Sequence, residues 1–280
     1  AKSALGNNQG AISDYDRAIA LDPQLALAYV SRGNAKYVLG NNQGAISDFD
    51  RAIALDPQFA LAYYNRGNAK YVLGNNQGAI SDFDRAIALD PQYADAYYNR
   101  GNAKAALGNK QGAISDYDRA IALDPQFALA YYNRGVAKSA LGNNQGAISD
   151  YDRAIALDPQ YVKAYYNRGV AKSALGNNQG AISDLDRAIA LDPQYADAYY
   201  NRGNAKAALG NKQGAIGDYD RAIAIDSQDA NAYYNRGVAK LELGNKQESI
   251  DDLSKAAELF RQQGQTDLYQ QAMGLIAKLK

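Results

Sequence analysis

Residues 60–93 read ALAYYNRGNAKYVLGNNQGAISDFDRAIALDPQY, and this string recurs with few changes along almost the whole chain. The Gly of its Arg-Gly pair stands at 33, 67, 101, 135, 169, 203 and 237, a constant step of 67 − 33 = 34 residues. Seven full units follow from that step: 26–59, 60–93, 94–127, 128–161, 162–195, 196–229 and 230–263. Residues 1–25 are the back part of an eighth, and 264–280 form a tail of different character. A fixed period of this size predicts a stacked array, in which each unit buries its apolar face on its neighbours.

Gly74 and Pro91 punctuate the unit, leaving two helical stretches. The first is expected over Ala60–Leu73 and the second over Asn76–Leu89. Asn75 is the expected N-cap of the second helix, since its side chain can accept from an orphan backbone N–H. Asp90-Pro91 is expected to open the next first helix, with Asp as cap and Pro in the first turn. Ala79, Ile80, Phe83, Ala86, Ile87 and Leu89 recur close to the 3.6-residue helical period and predict one buried face. Gly67, Ala79 and Ala86 are small enough to let helices approach closely, with Tyr63 supplying bulk beside them. Helices this short are marginal alone in water, so stacking must hold them.

Tyr63, Gly67, Ala79, Phe83, Ala86 and Pro91 stand in this unit at repeat positions 4, 8, 20, 24, 27 and 32. That pattern, repeated in register over residues 1–263, resembles the tetratricopeptide repeat. The resemblance implies an all-α fold: a right-handed α-α superhelix, or solenoid, of paired antiparallel helices. It also implies that the first helices line the concave face, and that peptides or partner proteins bind there.

Two departures stand out. Positions 7 and 11, usually Leu and Tyr in that family, are Arg66 and Lys70 here, and the pair recurs as Arg100 and Lys104, Arg134 and Lys138. The second helices carry a repeated Asp-x-Asp, such as Asp82 and Asp84. The Asp before the aromatic is expected to face that Arg, while the Lys and Arg stems cover apolar surface. A shared metal site is disfavoured, because residues two apart on a helix point to different sides.

Variation among the copies gathers on the first helix, at positions 2, 9, 12 and 13, while the second helices barely change. Position 9 includes Asn68 and Asn102 but also Val136; position 2 includes the single cation Lys163. On the same face, Tyr64, Tyr98, Tyr132, Tyr166, Tyr200 and Tyr234 are followed by Asn65, Asn99, Asn133, Asn167, Asn201 and Asn235. An Asn amide offers both a donor and an acceptor, matching the backbone of an extended peptide. The row resembles the asparagine ladder of long tetratricopeptide superhelices, and these residues are the candidate peptide-binding surface. The family's carboxylate clamp needs cations at positions 2, 5 and 6 of neighbouring units; here positions 5 and 6 are Tyr or Val and Asn or Ser, so that mode is not expected.

The bulk composition narrows the function classes. Thirty Lys and Arg balance thirty Asp and Glu in 280 residues. That neutrality argues against a nucleic-acid partner, which needs a basic surface. No apolar run approaches the ~20 residues of a membrane span. Cys and His are both absent, which removes thiolate chemistry and the usual neutral-pH base. Ser47, Ser81 and Ser115 recur without a base or a phosphate loop. The expectation is a non-enzymatic scaffold without cofactor or metal, in the cytoplasm, for want of a signal segment within these residues.

The two ends differ. Without the repeating Pro at 227 and 261, the last second helix is expected to run on towards Gly264. Thr266 is expected to cap a final amphipathic helix with Leu268, Ala272, Leu275, Ile276 and Leu279 on one face. Residues 1–5 read as the last turn of a first helix, which leaves the helix after them open. Two readings stand: a fragment of a longer array, or an end on which another copy docks head to tail into a homo-oligomer. Units 94–127 and 196–229 are near-copies, which fits block duplication better than uniform design, although a designed or consensus-like array without a natural ligand is an alternative.

Overall fold

The computed structural model describes residues 7–279, and every regular element among them is an α-helix. They fall into two compact units, one ending at Leu141 and one beginning at Gly142. The first unit holds α1 (Asn8–Leu21), α2 (Ala26–Val38), α3 (Asn42–Leu55), α4 (Ala60–Val72), α5 (Asn76–Leu89), α6 (Ala94–Ala106), α7 (Lys110–Leu123) and α8 (Ala128–Ala140). The second holds α9 (Asn144–Leu157), α10 (Val162–Ala174), α11 (Asn178–Leu191), α12 (Ala196–Ala208), α13 (Lys212–Ile225), α14 (Ala230–Glu242), α15 (Lys246–Gln262) and α16 (Thr266–Leu279). Even-numbered helices up to α14 are the first helices of the repeats. Each packs on the second helix that follows it and on the one before it within its unit.

A two-residue device joins first helix to second. Gly74 adopts φ +78°, a left-handed conformation that costs glycine little. The amide of Asn75 then donates to Lys70 O and that of Gly74 to Tyr71 O, each at 2.9 Å, which satisfies the last carbonyls of α4. Asn75 at once caps α5, as expected, its Oδ1 accepting from Gly78 N at 2.9 Å. Glycine ends one helix and asparagine starts the next.

The return from second to first helix differs from expectation. Asp90 is the C-terminal cap of α5, and its carboxylate accepts from Gln92 N at 3.0 Å. Pro91 therefore lies in a turn, and α6 begins at Ala94 behind Tyr93, which makes no side-chain cap. The Asp-Pro pair closes a tight turn instead of opening a helix.

The core runs between the helices as anticipated. Ala79, Phe83, Ala86 and Ile87 are buried, and Ile80 and Leu89 are half-buried. Gly67 explains the close approach of α4 to α5: a Cβ there would lie 2.7 Å from a ring carbon of Phe83. Tyr64 leans on the same ring, at 6.0 Å between centroids, and on Tyr93 at 4.6 Å.

The α15 helix runs on to Gln262, three residues longer than the other second helices, which have 14. Its Leu259 and Phe260 bury against Ala272 of α16, with Leu268 and Tyr269 packed alongside. Thr266 is the first residue of α16 itself. At the other end α1 buries only Ala11, and the turn expected over residues 1–5 lies outside the described residues.

Gly67→Ala is expected to lower stability by about 1–3 kcal/mol, because the methyl must displace a fully buried ring. Urea denaturation followed by helical circular dichroism reads this as a lower midpoint, and Gly67→Ala/Phe83→Leu should recover part of the loss.

Candidate functional site

The first helices carry two sets of polar side chains, one turned to the second helices and one to each other. In the first set, Arg66 of α4 reaches both neighbouring second helices. Its Nε and Nη2 donate to the two carboxylate oxygens of Asp82 on α5, at 2.9 and 2.6 Å. Its Nη1 donates to Asp50 on α3, at 2.6 Å. Lys70, one turn further along α4, meets Asp82 at 2.7 Å. The same arrangement holds Arg32, Arg100, Arg168, Arg202 and Arg236.

Asp82 is buried and Asp84 exposed, and the two are used in opposite directions. Asp82 binds the arginine of its own repeat, as expected, whereas Asp84 binds Arg100 of the next at 2.6 Å. Burial works against the Arg66 charge, but the bonds to Asp82 and Asp50 outweigh it and raise its pKa. Arg66 and Arg85 also stand over the Tyr63 ring, at 5.5 and 5.8 Å from its centroid.

The second set lies where consecutive first helices touch. The α4–α6, α6–α8, α10–α12 and α12–α14 pairs approach one another, with no comparable approach between consecutive second helices among the described residues. Within each unit the first helices therefore form the inner layer. Asn99 Nδ2 donates to Tyr64 Oη at 3.0 Å and to Asn68 Oδ1 at 2.9 Å. Asn133 does the same to Tyr98 and Asn102, and Asn235 to Tyr200 and Asn204. Burial pushes the Tyr64, Tyr98 and Tyr166 phenols above their ordinary range, so they remain protonated at neutral pH.

Variation at position 9 rewires this row. Asn201 donates to Tyr166 at 3.1 Å, but faces Val170 where its counterparts face Asn, and turns its second hydrogen to Asp197 O. Asn65 Nδ2 is buried with no partner; Val30 stands where the other repeats supply Tyr. Tyr132 and Asn167 are half-buried on α8 and α10, Tyr234 is half-buried on α14, and Lys163 is exposed in the first turn of α10. The structure thus brings the predicted Tyr and Asn together as pairs between repeats, while Lys163 stands apart from them.

Three participants escape sequence reasoning. Lys70 as a second partner of Asp82, Asp84 as the link to the following repeat, and the Tyr–Asn bond all act between residues distant along the chain. A signal existed for the second: Asp50, Arg66 and Asp82 are spaced 16 and 16 residues apart.

These features define an α-helical repeat scaffold built from near-identical helix pairs. Family models described as tetratricopeptide repeat match residues 30–94, 64–128, 116–149 and 230–263, and one described as TPR repeat matches 3–40, 139–176, 172–210 and 203–244. The chain belongs to the tetratricopeptide repeat family. No curated protein matches it. Among solved structures it is similar to MamA, at 31% identity over 59% of this chain and 96% of that one, TM-score 0.57. It is also similar to YrrB, a TPR protein with an unusual peptide-binding site, at 26% identity over 66% and 95%, TM-score 0.58. A tetratricopeptide repeat protein from Parabacteroides merdae ATCC 43184 shares the fold at 20% identity over 89% and 98%, TM-score 0.64. No described helix is long and apolar enough to cross a membrane.

Asp82→Asn should cost about 3 kcal/mol, since it leaves Arg66 and Lys70 short of a charge in a largely buried site. Asp84→Asn, on an exposed carboxylate, should cost under about 1 kcal/mol. Paired denaturant melts check the contrast, and equal losses would contradict the assignment of Asp82 as the buried anchor.

Proposed function

We propose that the chain is a non-enzymatic scaffold that takes an extended peptide, or an extended segment of a partner protein, on the inner first-helix face of each unit. The observation that carries this reading is the contrast between an almost fixed frame of second helices and a first-helix face on which the copies differ. Packing demands the former; a packed stack has no need of the latter.

The Asn row supports the reading in a restricted form. Asn133 and Asn235 spend both amide hydrogens on the neighbouring helix, which fixes their orientation. Their Oδ1 atoms have no donor among the described residues, because Val136 and Val238 occupy position 9 of those repeats. In the repeat before, Asn102 turns its amide towards Asn99 Oδ1 at 3.4 Å. The acceptors of Asn133 and Asn235 are therefore oriented and open, and a peptide N–H is the group they suit. The similarity to YrrB adds that this kind of scaffold includes a peptide binder.

A labelled preparation of the full chain, applied to an array of short random-sequence peptides, tests this. Asn133→Ala/Asn235→Ala should weaken retained peptides about fivefold at each unit, from the loss there of one hydrogen bond of roughly 1 kcal/mol. Circular dichroism melts confirm that the variant is folded. Undiminished binding would place the recognition surface elsewhere.

A further inference from the structure

Repeats 94–127 and 196–229 are identical from Ala94 to Ile114 and from Ala196 to Ile216. Each forms a pocket on the inner layer with the first helix that follows. One is walled by Asn102, Ala105, Lys110, Tyr117 and Asn133. The other is walled by the corresponding Asn204, Ala207, Lys212, Tyr219 and Asn235. Ala at position 12 leaves the room, where other repeats carry Tyr37, Tyr71, Ser139, Ser173 or Leu241. In both, the buried tyrosine donates to the Asn of position 9, at 2.9 Å for Tyr117 and 2.8 Å for Tyr219. The walls are fixed and alike.

One wall residue separates the pockets. Glu242 of α14 lines the second, and its carboxylate is paired with the Lys212 ammonium. Ala140 of α8 holds the equivalent place in the first. There Lys110 has no ion-pair partner among the described residues, and no carboxylate joins the wall. Lys110 is also the first residue of α7, where other repeats carry Asn42, Asn76, Asn144 or Asn178. A cation at a helix N-terminus opposes the helix dipole, so packing alone gives no reason for a lysine there.

We propose that the Lys110 pocket binds the carboxylate of an Asp or Glu side chain of the peptide, and that Glu242 is a built-in occupant of the same kind in the second pocket. Tyr71, which lines only the first, adds a phenol to the Lys110 ammonium as a second donor type. The ligand is thereby narrowed to peptides with an acidic residue over α6–α8. This rests on the peptide-scaffold reading above.

The same array of random-sequence peptides, probed with the full chain and with three variants, separates the two. Wild type should retain sequences enriched in Asp or Glu. Lys110→Gln should remove that enrichment and weaken the acidic peptides about fivefold, the upper end for a partly exposed ion pair. Ala140→Glu should do the same by supplying an internal partner, and Glu242→Ala should create a second acidic preference by freeing Lys212. Thermal melts check that each variant is folded. Acidic enrichment that survives both Lys110→Gln and Ala140→Glu overturns the pocket assignment, as does peptide binding with no acidic preference, and both leave the scaffold reading standing. Retention of no peptide by the wild type overturns both.

Discussion

One guanidinium holds three helices. Arg66 stands on α4 and binds Asp50 on α3 and Asp82 on α5, so the spacing and rotation of successive helix pairs are set by a rigid, planar group with five donors. An ion pair of this kind is not a strong net source of stability, because desolvation opposes it. Its contribution is geometric: one arrangement brings the guanidinium onto both carboxylates, and a slipped one strands a charge. Lys70 completes the balance on Asp82. Repeat 60–93 contains Arg66, Lys70 and Arg85 against Asp82, Asp84 and Asp90, so neutrality is met within the repeat. The zero net charge of the chain follows from its joints more than from its surface.

The apolar side of the joint depends on absence of bulk. Gly67 gives Phe83 its place, and the alanines at 62, 69, 79 and 86 are fully buried. Where Leu185 replaces the aromatic, the Cβ that Gly169 lacks would still meet it at 3.0 Å and Ala181 O at 3.3 Å, so the close approach of the helices requires a small residue there and the aromatic ring adds to the crowding. Polar and apolar halves of each joint therefore demand the same separation, and the helices are held from both sides.

Much of this was legible in the sequence. The 34-residue step settled the helix pairs, and the charged departure at Arg66 pointed to Asp82 because the residue otherwise found there is semi-buried. Asp90-Pro91 misled, since the same pair that can start a helix can also fold back on Gln92 N; only the position of Tyr93 over the core decides between them. The Asn row was read as facing a ligand, and nothing in the sequence showed that Asn99, Asn133, Asn201 and Asn235 also donate to the Tyr of the preceding repeat. That contact spans 35 residues, and no helical period reports on it.

The Arg66 joint has a direction. Each arginine reaches back to the exposed Asp of the repeat before it, and each repeat offers one such Asp forward. In α15 the forward carboxylate is missing, with Ser254 in its place, and α16 contains no arginine to receive it. Elsewhere every joint offers the same groups. Unequal crossing-over between the stretches at 94–114 and 196–216 would remove 196 − 94 = 102 residues, three whole repeats, and rejoin a donor with an acceptor it already fits. The length of the array can thus change between generations without any new contact having to evolve, and the reach of the binding face can change with it.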